Sequence, residues 1–375
     1  MVKYIINIKF LAIIILLTIS KFVFANEIKI GVLLPLTGSQ AFYGKEAKNG
    51  IDLALKNFND PKLKIKLIIE DTQSTPLEAA KGINKLITTD KVSVVIAEVI
   101  SSNAIAAASI AEKAKIPIIS PAATNDSVTL GKKYVFRTCF IDSFQGVVMA
   151  NFATKNLRAK SAVILEDSDS DYSKGLSESF KSTFVKSGGI IFKVLKYSQK
   201  DTSYTAQLGD IRKLKPDVVF IPGFHQQVGV ILREAKELNI TAKMLGGDGW
   251  FTPELRMIAK GAEIGSFTST HYSTDSNEPK VKFFIENYSK KYLAKPSAHA
   301  ALGYDTFNLV TNALKGLQNF DSEKITEALS KTKDFPGITG TITMDKNHNP
   351  IKPAVILEYV PNGYKYVTSI APEQQ

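Results

Sequence analysis

The sequence predicts an α/β protein made of two doubly wound, Rossmann-like lobes joined by several crossings of the chain. Strand-like and helix-like patterns alternate from Glu27 onwards, and the alternation restarts after Asp142. No linker or low-complexity segment separates the two halves. A strand followed by a helix, repeated along the chain, indicates a parallel sheet that is covered on both faces. Two such lobes facing each other enclose a cleft, which is a preferred place for a small ligand.

Residues 1–25 are predicted to be a secretory signal peptide rather than part of the fold. Lys3 and Lys9 give a positive start, an apolar run extends from Phe10 to Leu17, and Ala25 closes a small-residue cleavage site. An uncleaved membrane anchor is the competing interpretation, but the apolar run is short for crossing a bilayer. Cleavage after Ala25 leaves a chain long enough for two domains and places it in the periplasm.

Charge and cysteine content bear on the class of protein. The formal net charge is +11 at pH 7, but the lysines are spread over many predicted helices with acidic residues between them. We therefore interpret the charge as solvated surface and expect no nucleic-acid partner. Cys139 is the only cysteine, so an internal disulfide is impossible, and we expect this residue to be a small buried hydrophobe.

The first half of the chain is predicted to alternate strands and helices up to a crossing near Asp142. Near-continuous apolar runs predict the strands, and apolar residues at helical spacing, such as Ala47, Ile51 and Phe58, predict the helices. Pro76 stands where a first helical turn tolerates proline. The predicted strands cover 28–34, 63–69, 92–97 and 116–119, and the predicted helices cover 47–58, 76–87 and 101–115.

The second half repeats this architecture with a different sequence. Gly188 and Gly189 are expected to end a helix, and the Pro-Asn-Gly run at 361–363 splits a C-terminal hairpin. The predicted strands cover 162–165, 190–197, 218–221, 354–360 and 364–368, and the predicted helices cover 144–156, 172–187, 204–214, 228–238, 279–292, 298–317 and 323–332. The helix at 298–317 is expected to be interrupted at Gly303. We expect lobe 1 to contain 26–141 and 272–347, and lobe 2 to contain 142–271 and 348–375.

Small and hydroxylated residues follow two strands of the first half and predict a ligand site. The apolar run ending at Ile119 stops at residues 120–124, and Ser101 follows the preceding strand at the start of a helix. Ligands of open α/β sheets bind just beyond the carboxyl ends of the strands. Unpaired N–H groups at a helix start favour an anion such as a carboxylate. Each feature alone also has a structural interpretation, with Ser101 as a helix N-cap and residues 120–121 as a turn.

Together these residues form the set of groups that a zwitterion requires. Ser101 and Thr124 supply hydroxyls for a carboxylate, and Ala122 supplies a backbone carbonyl for an ammonium group. Asp248, in a glycine-rich turn, supplies the negative charge, although it could instead bond its own turn. Four aromatic residues in loops after strands are candidate walls for the rest of the ligand: Tyr43, Tyr172, Phe224 and Trp250.

The familiar motifs of catalysis and of cofactor binding do not occur in the sequence. There is no G-x-G-x-x-G after a strand, no P-loop and no G-x-S-x-G elbow. The histidines have no metal-like spacing and are each expected to be surface or packing residues: His225, His271, His299 and His348. We therefore expect no catalytic residue, no cofactor and no metal site, and we predict binding without chemistry.

The order of several motifs resembles that of the periplasmic leucine/isoleucine/valine-binding proteins of ABC importers, which have the type I periplasmic binding protein architecture. The resemblance covers the whole predicted mature chain. Five segments carry it: 36–44 (LTGSQAFYG), 119–125 (ISPAATN), 171–176 (DYSKGL), 246–250 (GGDGW) and 301–305 (ALGYD). It implies a hinge that closes over the ligand and a membrane permease that receives it.

The resemblance also implies a role for each candidate residue. Ser101 and Thr124 would bind the α-carboxylate of an amino acid, and Ala122, Thr124 and Asp248 would hold its α-ammonium. Tyr172 would close over the ligand from the second lobe, and Tyr43 would contact its side chain. The predicted ligand-binding set is completed by Ala123, Phe224 and Trp250.

Three positions depart from the family pattern. Phe224 stands where relatives often have tyrosine, and Asp248 stands where an acid of glutamate length is common. The disulfide of some relatives cannot form, because Gln73 and Ile100 occupy the two positions. The resemblance therefore supports a site for the amino-acid backbone and leaves the preference for its side chain open.

We predict a soluble, monomeric, non-enzymatic periplasmic receptor for an amino acid, preferably branched-chain or otherwise aliphatic, that delivers its ligand to an ABC permease. One alternative is a sensory module of the same fold, which reports another small metabolite such as an amide, urea or an aromatic acid to a membrane partner. The other is a secreted hydrolase that uses Ser120 or a pair of acids.

Overall fold

The computed structural model describes residues 26–372, so the predicted signal peptide at 1–25 lies outside the described residues. Within this range the strands form two main sheets and one short two-stranded sheet, with helices between the strands. The predicted fold class, α/β with two Rossmann-like lobes, is confirmed. None of the helices between residues 26 and 372 combines the length and the apolar character needed to cross a lipid bilayer.

The first sheet has five parallel strands in the spatial order β2-β1-β3-β4-β5. Its elements are β1 (Asn26–Leu34), α1 (Ala41–Asn57), β2 (Leu63–Asp71), α2 (Pro76–Thr88), β3 (Val94–Ala97), α3 (Ser101–Ala114), β4 (Ile118–Ser120) and β5 (Val135–Arg137). The strand order reverses between β1 and β3, so the loops that follow these strands diverge and leave a crevice at the carboxyl edge. The loops after β3 and β4 carry Ser101 and Thr124 to that edge.

The second sheet begins after the chain crosses at Asp142. Its first elements are α4 (Asp142–Asn151) with a π-helical turn (Phe152–Asn156), β6 (Ser161–Asp167), α5 (Asp171–Lys186), β7 (Ile190–Tyr197), α6 (Thr205–Leu214), β8 (Val218–Phe220), α7 (His225–Glu237), β9 (Lys243–Gly246), α8 (Pro253–Ala259) and β10 (Phe267–Thr270). These strands pair in parallel. The segments that follow β6, β8 and β9 carry Tyr172, Phe224 and Asp248.

After β10 the chain returns to the first sheet and then crosses once more. The returning segment contains α9 (Pro279–Tyr292), α10 (Ala298–Leu314), α11 (Ser322–Ser330), β11 (Phe335–Gly337) and β12 (Gly340–Ile342), and α10 packs against α1. The antiparallel strands β13 (Ala354–Val360) and β14 (Gly363–Ile370) then join the second sheet. Its complete order is β14-β13-β10-β9-β8-β6-β7, and three crossings connect the two halves.

Glycines set the close approach of α1 and α10. A Cβ atom on Gly50 would lie 1.9 Å from the carbonyl oxygen of Ala300, and one on Gly303 would lie 2.2 Å from that of Ala47. The expected interruption at Gly303 is wrong, because α10 continues through this residue. The missing side chain allows two helices to pack closely rather than breaking one of them.

The third crossing is anchored by a buried lysine. Lys352 is 1% exposed, and its Nζ donates to the carbonyl oxygen of Thr138 at 3.0 Å and to Thr339 Oγ1. His348 stacks on Phe136, with ring centroids 4.1 Å apart. Both residues therefore pack on the first-sheet side. The lobe boundaries remain a proposal, and these contacts favour starting the last segment of lobe 2 near residue 353.

Several short elements are not predicted by the sequence patterns. These are β5, β9, α8, β10 and the β11–β12 hairpin, which are too short for a hydrophobic period to become visible. The predicted bounds of the other elements differ from the observed ones by a few residues. The strand predicted from residue 116 begins only at Ile118, because Pro117 has no N–H to donate to a ladder.

Candidate ligand-binding site

A narrow cavity lies between the carboxyl edges of the two sheets. Its wall consists of Val99, Ser101, Ala122 and Thr124 from the first-sheet side, Tyr172, Phe224, Asp248 and Gly249 from the second-sheet side, and His299 from α10. Most of the predicted ligand residues are thus brought together around one hollow. Tyr43, Ala123 and Trp250 are not among the residues of its wall.

Ser101 is the first residue of α3, not its N-cap. The N-cap position belongs to Ile100, which makes no side-chain cap bond. The Oγ of Ser101 instead accepts from the backbone N–H of Asn125 at 3.1 Å, which leaves the hydroxyl proton free to donate. The first N–H groups of a helix have no partner within it, and they favour negative charge. Ser101, the start of α3 and the nearby Thr124 therefore form a site suited to a carboxylate.

The loop between β4 and Thr124 is held in shape by Ser120. Its Oγ donates to the carbonyl oxygen of Glu98 at 2.8 Å and accepts from the backbone N–H of Ala123 at 2.9 Å. The carbonyl oxygen of Ala123 accepts from Arg137 Nη1 at 2.9 Å and from Cys139 Sγ at 3.4 Å. Ala123 is fully buried among apolar residues, so it supports the loop from behind.

Asp248 is buried, and both of its carboxylate oxygens meet donors from other elements. Oδ1 accepts from Gln145 Nε2 at 3.1 Å and from the Tyr172 hydroxyl at 3.0 Å, and Oδ2 lies 3.0 Å from His271 Nε2. The side chain thus does not bond its own turn, which was the structural alternative for this residue. Burial raises the pKa of Asp248, but the hydrogen bond from His271 and the other donors around the carboxylate outweigh burial, and the pKa lies below its usual value.

His271 and Gln145 form the support of Asp248. Burial lowers the pKa of His271, so the imidazole is neutral at pH 7 and donates through Nε2–H to the carboxylate. Its ring stacks on Phe140 with centroids 3.8 Å apart. Gln145 Oε1 accepts from the backbone N–H of Asp248 at 2.8 Å and from Ser269 Oγ at 2.7 Å. The charge in the cavity is therefore oriented by three different segments of the chain.

Aromatic rings form the less polar part of the wall. The ring centroids of Tyr172 and Phe224 are 5.4 Å apart, and those of Tyr43 and Phe224 are 5.6 Å apart. The Tyr43 hydroxyl donates to the carbonyl oxygen of Gly249 at 2.6 Å and accepts from the backbone N–H of His225 at 3.1 Å. Tyr43 thus stands behind Phe224 and bonds from α1 to the second-sheet side.

Trp250 packs below the cavity rather than in its wall. Its indole Nε1–H donates to the carbonyl oxygen of Ile221 at 2.9 Å, and the residue belongs to the apolar core of the second-sheet side. The ring lies against Gly246, where a Cβ atom would come within 2.1 Å of it. This position indicates a structural role for Trp250.

Three of the four histidines lie around the cavity, although their sequence spacing gives no sign of it. His271 contacts Asp248, His299 lines the cavity, and His225 contacts Tyr43. Within residues 26–372 no group of three His, Cys, Asp or Glu side chains is arranged to hold a metal ion. These histidines and Gln145 come from different elements, so only the folded chain brings them together. Gly249, by contrast, lies within the segment 246–250, and Val99 follows the strand predicted at 92–97 by two residues.

Hydrogen bonds across the cleft hold the two halves against each other. Asn125 Nδ2 donates to the carbonyl oxygen of Asp171 at 2.7 Å, and the backbone N–H of Asp171 donates to Ser102 Oγ at 3.2 Å. The bonds of Tyr43 add a second connection on another side of the cavity. The structure is therefore a closed arrangement in which the cavity is buried.

Two α/β lobes that close on a buried cavity with charged and apolar parts define a two-lobed ligand-binding protein. More particularly, the chain belongs to the periplasmic binding protein family, because the model of that family matches residues 27–364. Membership confirms the predicted resemblance, and the solved relatives share its type I architecture.

Three relatives illustrate the similarity. A leucine-binding protein LivK from Thermotoga maritima MSB8 is 38% identical, with a TM-score of 0.89 over 92% of this chain and 99% of that chain. The branched-chain amino acid transporter substrate-binding protein LivJ from Streptococcus pneumoniae, in complex with isoleucine, is 33% identical, with a TM-score of 0.86 over 92% and 99%. A leucine-, isoleucine-, valine-, threonine- and alanine-binding protein from Pseudomonas aeruginosa is 28% identical over 86% of this chain and 87% of its own length.

Proposed function

We propose that this protein is a non-enzymatic periplasmic receptor that captures an amino acid, preferably branched-chain or aliphatic, and delivers it to an ABC permease. One observation supports the proposal most strongly: groups that favour an anion and a group that favours a cation line the same buried cavity. Ser101 and the start of α3 favour an anion, and Asp248 favours a cation. The names of the relatives, which bind leucine, isoleucine or valine, support the same class of ligand.

The ionic ends of an amino acid match the groups in the cavity. The α-carboxylate would accept from the hydroxyls of Ser101 and Thr124 and from the N–H groups that begin α3. The α-ammonium would donate to the carbonyl oxygen of Ala122 and to Asp248. Hydrogen bonds to charged groups contribute about 1.5–3 kcal/mol each, so these contacts dominate the affinity.

The apolar wall of the cavity favours an aliphatic side chain. Val99 and Phe224 offer hydrocarbon surface to the side chain, while Tyr172 covers the ligand from the second-sheet side.

Capture would occur by closure of the two lobes around the hinge formed by the three crossings. The ligand would first bind the side of Ser101 and Thr124, and the side of Tyr172, Phe224 and Asp248 would then cover it. The bonds between Asn125, Asp171 and Ser102 would form on closure. The closed monomer would dock on the permease, and no nucleic acid, cofactor or metal would take part.

One observation favours a second class of ligand. Gln145, Tyr172 and His271 already satisfy both oxygens of Asp248, so the carboxylate is stable without a cation from the ligand. A ligand without an ammonium group, such as an amide, urea or an aromatic acid, is therefore the alternative. It would be reported to a membrane partner by the same closure.

Calorimetric titration of the purified protein with the common L-amino acids tests the proposal. We expect leucine, isoleucine or valine to bind, and Asp248→Asn and Ser101→Ala each to weaken binding at least tenfold, because each leaves part of a buried charged ligand unpaired. Asp275→Asn, an exposed aspartate outside the cavity wall, is the matched control and should bind like wild type. Unchanged affinity in Asp248→Asn would favour the alternative ligands, and a folded wild type that binds no amino acid would refute the proposal.

A further inference from the structure

His299 is a polar residue in the cavity wall whose hydrogen-bonding groups are unused. It lies in the first turn of α10, is 4% exposed and lines the cavity. Neither ring nitrogen has a hydrogen-bond partner among residues 26–372, and Nδ1 is completely buried. Nearly all buried polar groups of folded proteins are hydrogen-bonded, so an imidazole left unpaired in a ligand cavity calls for an explanation.

The polar groups of Tyr43 and Asp248, which lie close to His299, already have partners. The Tyr43 hydroxyl is bonded to Gly249 and His225, and the oxygens of Asp248 are bonded to three side chains. Phe224 has no polar group. The Tyr43 ring packs near both residues, with its centroid 4.7 Å from that of His299 and 5.6 Å from that of Phe224. His299 is therefore the member of this aromatic wall that can offer a new hydrogen bond to a ligand side chain.

The charge state of His299 determines which partner it can take. Burial lowers the pKa of His299 to about 4, so the ring is neutral at pH 7. A neutral imidazole has one N–H donor and one nitrogen acceptor. A hydroxyl group is both a donor and an acceptor, so it can pair with whichever nitrogen reaches the cavity. A purely aliphatic ligand would close the cavity and leave the imidazole without a partner.

We infer that His299 is a specificity-determining residue that makes the receptor select amino acids with a side-chain hydroxyl, such as threonine, beside the aliphatic ones. The inference rests on the proposed function, since it assumes that the α-carboxylate and α-ammonium are held as described above. It extends that function by assigning the side-chain end of the cavity to a polar group. Threonine and valine have the same shape and differ in one hydroxyl, so they are the matched pair of probes.

Calorimetric titration with L-threonine and L-valine tests the inference in wild type, His299→Phe and His299→Gln. His299→Phe keeps a ring of similar size and removes both nitrogens, whereas His299→Gln keeps a donor and an acceptor. We expect His299→Phe to shift the ratio of the two dissociation constants about tenfold towards valine, because one buried hydrogen bond is lost. His299→Gln should restore most of the wild-type ratio. Phe224→Leu, which alters apolar surface alone, should weaken both ligands and leave the ratio unchanged.

A second measurement does not depend on the folding of a variant. In wild type labelled with ¹⁵N-histidine, threonine should shift the signal of a His299 ring nitrogen, and valine should leave it nearly in place. Equal shifts with both ligands, or an equal loss of both affinities in His299→Phe, would overturn the inference while leaving the amino-acid receptor intact. If folded wild type binds neither threonine nor any aliphatic amino acid, the proposed function fails, and this inference fails with it.

Discussion

The two sides of the cavity present charge to the ligand in different ways. The first-sheet side uses small residues and backbone groups, placed by short loops in which Ser120 ties the chain to itself. The second-sheet side uses a carboxylate, Asp248, which is oriented by Gln145, Tyr172 and His271 from separate elements. The first side is thus a local structure, and the second is a network that exists only after the whole lobe has folded. A substitution in the network should therefore reduce stability and ligand affinity more than a substitution in the loop.

The largest loss of stability and affinity should come from substituting Gln145, the residue at the centre of the network. Gln145→Ala deletes the bonds to the carboxylate and backbone N–H of Asp248 and to Ser269, and it leaves these groups buried without partners. We expect the free energy of unfolding to fall by about 3 kcal/mol, and amino-acid affinity to fall at least tenfold. Urea unfolding and calorimetry measure the two quantities. Gln227→Ala is the control, because Gln227 makes a single long bond to Gln199. Equal losses in both variants would contradict the special role assigned to the network around Asp248.

Lowering the pH should destabilise the folded state through protonation of His299 in the cavity wall. Burial lowers the pKa of His299 to about 4, against an ordinary value of 6.5 in the unfolded chain. Between these values the unfolded state binds the proton and the folded state does not, so stability is lost as the pH falls from 6.5 towards 4. The contribution of one such group is about 1.4 kcal/mol per pH unit. Wild type should therefore lose stability more steeply than His299→Phe by about this amount.

Wild type and His299→Phe must be compared with each other, because other buried groups stabilise the folded state as the pH falls. Burial raises the pKa of Glu98 to about 7 and that of Asp142 well above its usual range, so both groups stabilise the folded state as the pH falls. These contributions are common to wild type and variant and cancel in the difference. Urea unfolding of wild type and His299→Phe at several pH values between 6.5 and 4 measures this difference in the free energy of unfolding. If the two proteins show the same dependence of that free energy on pH, His299 is not the group responsible.

The smallest loss of stability and affinity should come from a substitution in the loop on the first-sheet side. Ser120→Ala removes one bond to Glu98 and one to Ala123, both within a single loop. We expect a loss of about 1 kcal/mol in the free energy of unfolding and a loss of affinity of less than tenfold. The same variant tests the hydrolase alternative, since any turnover of esters or amides that depends on Ser120 would disappear. A loss as large as that of Gln145→Ala would show that the loop is coupled to the network.

The same difference explains how far the sequence could predict the site. Ser101, Ala122 and Thr124 follow apolar strands directly, so their place at a sheet edge is visible in the chain. Asp248 is marked by the glycines around it, but its partners are not. Gln145 and His271 lie far from it in sequence and from each other, and no periodicity joins them. Sequence patterns therefore show the local half of the site and leave the network to the folded chain.

The aromatic candidates show a second limit of sequence reasoning. Tyr43 and Trp250 lie in the right segments, but Tyr43 stands behind Phe224 and Trp250 packs beneath β9. The direction of a side chain in an irregular turn depends on the neighbours that it packs against, and these come from distant segments. Gly303 shows the same limit in the fold. Its role depends on the close packing of α10 on α1, and the helix continues where a break was expected.

The thiol of Cys139 has a practical consequence. It is the only one in the chain, it is fully buried beside the first crossing, and burial raises its pKa to about 12. A thiol that stays protonated and inaccessible does not react with maleimides. Cysteines introduced on opposite rims of the cleft can therefore be coupled to a donor and an acceptor dye in the natural background, which makes the opening and shutting of single molecules directly observable.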